Sequence, residues 1–123
     1  MANILVVEDE KLLNEAYELV LTKEKYKVFT AFNGEEALTL AKQTEFDLIL
    51  LDLRMPKMGG VEFLKRFNAK KKHPKTKIII FSNYDDQEEV NEAIENGATR
   101  YILKAWSSPK ELIKLVRDTL EEA

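Results

Sequence analysis

The chain has 123 residues, one domain's worth, enough to bury roughly two-thirds of its unfolded surface in a single core. Its 45% hydrophobic and 33% charged residues make an ordinary globular balance, and a net charge of -3 excludes a molecule that binds polyanions through its overall charge. The absence of cysteine excludes disulfides, a thiolate nucleophile and a cysteine-based metal site; with no signal-like leader and no apolar run of membrane-spanning length, the expectation is a cytoplasmic chain with no membrane partner.

The first element is a predicted strand, Asn3–Val7, whose apolar run leads straight into Glu8-Asp9. A helix is predicted over Lys11–Lys23, with Leu12, Leu13, Ala16, Leu19 and Val20 on one stripe that is expected to face the core. Lys27–Ala31 is a shorter, more polar strand, as an edge strand should be. Asn33 and Glu36 have capping-box spacing at the start of a helix over Gly34–Gln43.

Phe46–Asp52 is almost continuously apolar and stops on a carboxylate, the pattern of a strand buried on both faces of a parallel sheet. A helix over Gly60–Ala69 follows, and then the one basic cluster, Lys70-Lys71-Lys72-His73-Pro74-Lys75, with Arg66 nearby. It precedes the fourth strand and so lies at the sheet end away from the acids, where a solvated loop is favoured over a nucleic-acid contact. His73, before a proline, is poorly placed for phosphotransfer, and a single histidine makes no histidine-based zinc site.

The fourth strand is Lys77–Ser82. It is followed by a helix over Asp86–Asn96 with Asp86 and Glu89 at capping-box spacing and Asn96-Gly97 as its stop. Arg100–Lys104 is a second edge strand, and Ser108, Pro109 and Glu111 open a last helix over Pro109–Leu120. Five strand–helix repeats predict a parallel sheet with right-handed crossovers and five helices on its two faces, most simply in the order 2-1-3-4-5. No linker, repeat or low-complexity stretch interrupts the chain, so residues 1–123 are expected to form a single domain.

In that order strands 1 and 3 are neighbours about 4.8 Å apart, which brings Glu8, Asp9 and Asp52 together at the switch point. Three carboxylates repel one another, and an all-oxygen set of this kind suits magnesium. Ser82 ends strand 4 at the same edge, and Lys104 ends strand 5 roughly 10 Å from Asp52 at the backbone, a gap that a lysine stem largely spans. A carboxylate nucleophile, a metal cradle, a hydroxyl and an ammonium are what phosphoryl transfer needs, because its catalysis is mostly positioning and neutralisation of oxygen charge. Taken alone, Asp9 would equally suit a helix cap and Ser82 a turn.

The chain resembles the response-regulator receiver domains of two-component signalling, of the chemotaxis-type single-domain kind. The resemblance rests on Ile4-Leu5-Val6-Val7-Glu8-Asp9-Glu10, Asn33-Gly34-Glu35-Glu36-Ala37-Leu38 and the segment from Asp47 through Asp52 to Gly60. Ile78-Ile79-Ile80-Phe81-Ser82 and Gly97-Ala98-Thr99-Arg100-Tyr101-Ile102-Leu103-Lys104 extend it over essentially the whole chain. It implies a flavodoxin-like three-layer sandwich in which Asp52 accepts a phosphoryl group from a histidine kinase or phosphotransfer protein. Glu8, Asp9, Asp52 and the backbone carbonyl of Arg54 would hold Mg2+. Ser82 would hydrogen-bond the phosphoryl group, Lys104 would pair with it, and Tyr101 would be the switch aromatic. The output would be the face of the fourth helix, fifth strand and fifth helix, offered to a downstream protein by a monomer or a phosphorylation-dependent dimer, with no DNA-binding segment in the chain.

Two positions depart from the family pattern. Ala105 follows Lys104 where the family has proline after a cis bond, and a cis bond to a non-proline residue costs about 2.5–4 kcal/mol. Asn83 follows Ser82 where the family commonly has a small residue, and is expected to slow phosphorylation by small donors. Trp106 stands where phenylalanine is frequent and is expected to pack. Other readings are a small aspartyl-phosphate enzyme, a flavin or nucleotide binder and a degenerate receiver that binds without phosphate. Against the first, Arg54 stands where a second acid would be, two residues after Asp52, and against the second, no glycine-rich or hydroxyl-rich loop follows strand 1. Self-hydrolysis of an acyl phosphate is expected, and turnover of an external substrate is not.

Overall fold

The computed structural model describes residues 1–82 (Ser82 by its backbone alone), 87–103 and 108–122. Five strands, β1 (Asn3–Val7), β2 (Lys27–Ala31), β3 (Leu48–Leu51), β4 (Lys77–Ser82) and β5 (Arg100–Leu103), form one parallel sheet in the order β2-β1-β3-β4-β5. The helices among the described residues are α1 (Lys11–Lys23), α2 (Gly34–Gln43), α3 (Gly60–Phe67), α4 (Ala69–Lys72), α5 (Gln87–Glu95) and α6 (Pro109–Glu121).

Strand alternation sorts the core into two layers. Leu5, Val7, Ile49, Leu51, Ile78 and Ile80 pack with Ala37 of α2, Phe63, Leu64 and Phe67 of α3, and Val90 and Ala93 of α5. Ile4, Val6, Leu48, Leu50, Ile79 and Phe81 pack on the other side with Leu21 of α1 and Leu112 and Val116 of α6. β3 is buried along its whole length, while β5 is only half-buried and β2 reaches full burial only at Ala31, as edge strands are.

The caps form where their residue types call for them. Asn33 Oδ1 accepts the Glu36 amide at 3.0 Å, and Ser108 Oγ accepts the Glu111 amide at 3.2 Å. Gly97, with φ of 111°, ends α5 in the backbone region that glycine enters cheaply. Asp86, the expected cap of α5, lies outside the described residues.

Four expectations change. The regular part of β3 is Leu48–Leu51 rather than Phe46–Asp52, yet parallel hydrogen bonds run past both ends, from Asp47 N to Asn3 O (2.8 Å) and from Asp52 N to Val7 O (3.1 Å). The predicted helix over Gly60–Ala69 stops at Phe67 because Asn68 turns left-handed (φ 57°), which makes six described helices where five were expected. Lys70, Lys71 and Lys72 lie in the short helix α4 rather than in a loop, though they are exposed as expected, and His73 stacks on Phe67 with centroids 4.0 Å apart.

The largest change is in α1. Leu12 is 81% exposed, Leu19 58% exposed, and Ala16 is exposed too, so three of the stripe's five residues face away from the core and the other two, Leu13 and Val20, are only half-buried. The inward face carries buried Asn14 and Leu21 with half-buried Tyr17. Asn14 fits there because its amide is hydrogen-bonded, and Tyr17 because its ring packs edge-on against Phe81 at 5.2 Å.

Candidate functional site

The register that pairs Val7 with Leu51 brings the next residues, Glu8 and Asp52, level at the carboxyl ends of neighbouring strands. Both continue the alternation of the face that carries Val6 and Leu50, and both are buried, Glu8 to 2% exposure and Asp52 to 6%. One carboxylate oxygen each from Glu8, Asp9 and Asp52 lies within 4.8 Å of the others. At such separations each ionised pair repels by roughly 3–4 kcal/mol at an effective dielectric of 20. Three hard oxygen donors, two of them withdrawn from water, are the donor set that a magnesium ion with its own waters completes. The residues present therefore fit that metal.

Glu8 is held from three directions. Its amide donates to Ala31 O (3.0 Å), its carbonyl accepts from Asn14 Nδ2 (3.0 Å), and its Oε2 accepts the Glu10 amide (3.0 Å). Asp9 is the most exposed of the three acids and does not cap α1; the cap position is Glu10, with no side-chain hydrogen bond to the helix. The capping alternative for Asp9 is thereby set aside.

The turn after Asp52 is tightly folded. Gly60 N donates to Leu53 O at 2.8 Å, Met58 N to Pro56 O at 2.7 Å, and Gly34 N to Met58 O at 2.9 Å. These bonds tie the segment that contains Arg54 to the start of α2 and α3. The Arg54 side chain reaches out to Glu89 of α5, with Nε 3.3 Å from the carboxylate, leaving its backbone carbonyl in the turn that follows β3.

The remaining predicted site residues are less fully placed. Ser82 ends β4, paired in register with Leu103 of β5, but its side chain lies outside the description. Lys104, the next residue of the chain, lies outside the described residues, as do Asn83, Ala105 and Trp106. Tyr101 is half-buried on β5 and packs against the core layer formed with α3 and α5.

Two residues of the site escaped the sequence reading. Tyr17 shares a small gap beneath the acids with Val6, Val7, Glu8, Leu50, Asp52 and Phe81. Burial pushes its phenol pKa up, and the carboxylates of Glu8, Asp52 and Glu10 push the same way. Asn14, 1% exposed, bridges the ends of β1 and β2. A polar residue at a core-facing helical position was the available signal for Asn14; an aliphatic count passes over it.

Comparison with known proteins agrees with this geometry. The family model described as "Response regulator receiver domain" matches residues 4–117. The transcriptional regulatory protein YdfI of Bacillus subtilis is 40% identical over 110 residues, 88% of this chain and 50% of YdfI. The chain spans about half the length of the curated relatives that it matches first. A CheY-like receiver domain protein from Methanospirillum hungatei superposes with a TM-score of 0.91 at 27% identity, covering 98% of this chain and 94% of that one. TrrA of Thermotoga maritima, solved in complex with Mg(2+)-BeF, superposes at 0.82 with 34% identity, covering 97% of this chain and 99% of that one. Phosphorylation and magnesium binding are typical of the family. Fold, site and sequence agree: the chain belongs to the response regulator receiver domain family of two-component systems.

Proposed function

We propose that Asp52 accepts a phosphoryl group from a phosphohistidine of a histidine kinase or phosphotransfer protein, in a step that needs Mg2+. The observation that carries this reading is the convergence of Glu8, Asp9 and Asp52 at the ends of two adjacent buried strands. An Asp52 oxygen attacks phosphorus, the phosphorus–nitrogen bond breaks, and its electron pair returns to the imidazole of the donor. Magnesium, held by Glu8, Asp9, Asp52 and the Arg54 carbonyl, would supply positive charge against the phosphoryl oxygens. Lys104 and the Ser82 hydroxyl are proposed to contact the same oxygens. Burial around Glu8 and Asp52 strengthens these interactions by lowering the local dielectric.

The phosphorylated form then shifts an equilibrium between two conformers, with Tyr101 as the moving aromatic and the α5–β5–α6 face as output to a downstream protein. α5 is the fourth helix of the sequence reading, since the short α4 precedes it. The protein acts as a cytoplasmic signalling module that hydrolyses its own acyl phosphate and turns over no external substrate. The test is transfer from a radiolabelled histidine kinase core. The chain should acquire hydroxylamine-labile label, and Asp52→Asn should acquire none. Label that is stable to hydroxylamine, or equal in the variant, would overturn the assignment.

A further inference from the structure

Asparagine is a poor choice inside a helix, because its side chain competes for backbone hydrogen bonds and favours caps and turns. Asn14 nevertheless occupies the second turn of α1's thirteen residues and is 1% exposed. Its two amide hydrogens both go to main-chain carbonyls, Glu8 O at 3.0 Å and Ala31 O at 3.1 Å. Two carbonyl acceptors on one side fix which end of the amide faces them: the nitrogen does.

The position of these two carbonyls gives the contact its meaning. β1 ends at Val7 and β2 at Ala31, so the sheet ladder stops just short of the Glu8 carbonyl. Ala31 O also receives the Glu8 amide at 3.0 Å, so one side chain closes a fork over both strand ends. The Glu8 carbonyl belongs to the peptide that joins Glu8 to Asp9, the two acids that approach Asp52. A buried carbonyl without its donor is costly to keep and turns towards water, and turning that peptide moves both carboxylates.

We infer that Asn14 is the positioning residue of the acid cluster: its amide sets the Glu8–Asp9 peptide so that both carboxylates meet Asp52 around a divalent cation. The inference rests on the magnesium reading above and deepens it. Asn14 touches neither the cation nor the phosphoryl group; it acts through the backbone of Glu8. Disturbing ligand-orienting contacts of this kind typically lowers metal affinity by about 10–100-fold.

The test is calorimetric titration of the full chain with Mg2+, in wild type, Asn14→Leu and Asn14→Ala, with Leu21→Ala as a control destabilised on the same helix. Unfolding midpoints are recorded for each, and the Asn14 variant that stays folded is used. The expected result is a Mg2+ dissociation constant raised about tenfold or more in the Asn14 variant and unchanged in Leu21→Ala. Phosphorylation by acetyl phosphate should then need correspondingly more Mg2+ for half-maximal rate, while the rate at saturating Mg2+ returns to within about twofold of wild type. A folded Asn14 variant that binds Mg2+ as wild type does would overturn the inference and leave the site reading standing. An affinity loss matched by Leu21→Ala would reduce Asn14 to a stabilising residue and also overturn it. A wild-type chain that binds no Mg2+ would overturn both.

Discussion

Gly60 lies so close to Asp52 that a Cβ on residue 60 would stand 2.5 Å from the Asp52 carbonyl oxygen and 3.0 Å from Leu53 Cα. Both obstacles include backbone, so neither gives way as the end of a flexible side chain would. The first residue of α3 is thus packed directly on the strand end that presents the candidate phosphoacceptor.

Gly60→Ala should therefore force Asp52 and the start of α3 apart. Overpacking of this kind costs typically about 1–3 kcal/mol, and here the displaced backbone belongs to the candidate nucleophile. Thermal unfolding should show the stability loss, and phosphorylation of the folded variant should fall with it. An alanine variant with unchanged stability would mean that the close packing of α3 on β3 is not as described.

The rotated face of α1 makes a paired prediction. Leu21 is fully buried in the core layer that it shares with residues of β1, β3, β4 and α6, whereas Leu12 is 81% exposed. Leu21→Ala should cost about 2–5 kcal/mol, and Leu12→Ser should stay within about 0.5 kcal/mol of the parent. Denaturant unfolding of the two variants measures both. A large loss for Leu12→Ser would return Leu12 to the core face and contradict the rotation.

A third prediction concerns the start of α2. Asn33 is 5% exposed and its side chain accepts the Glu36 amide, while Glu36 Oε1 accepts the Phe32 amide at 2.9 Å. Asn33→Ala should cost about 1 kcal/mol, the usual value of an N-cap. Glu36→Ala should lose less, because its partner amide at Phe32 is exposed. Equal stability of wild type and Asn33→Ala would mean that the cap contributes nothing to α2.

The outline of the fold was legible because buried strands are apolar on both faces and glycine, asparagine and proline punctuate what lies between. β1, β2, β4, α1 and α2 fall where the sequence places them. The acid cluster was legible for the same reason: carboxylates can end a buried strand but not interrupt it, and the strand order then brings Glu8, Asp9 and Asp52 together. What escaped depended on contacts that no local pattern encodes. Asn68 adopts a left-handed backbone that the sequence permits but does not demand, and this ends α3 early. The inward face of α1 is chosen by a hydrogen-bonded asparagine and a tyrosine against Phe81, so counting aliphatic residues put Leu12, Ala16 and Leu19 on the wrong side.

Acceptance of the phosphoryl group by Asp52, with magnesium held beside it, makes both the residue and the metal necessary. Intact-protein mass after incubation with acetyl phosphate tests it most directly, in wild type and Asp52→Asn, each with and without Mg2+. Wild type with Mg2+ should gain a single phosphoryl group, and the other three samples should gain none. A phosphoryl group that persists in Asp52→Asn, or that forms as well without the metal, would contradict it.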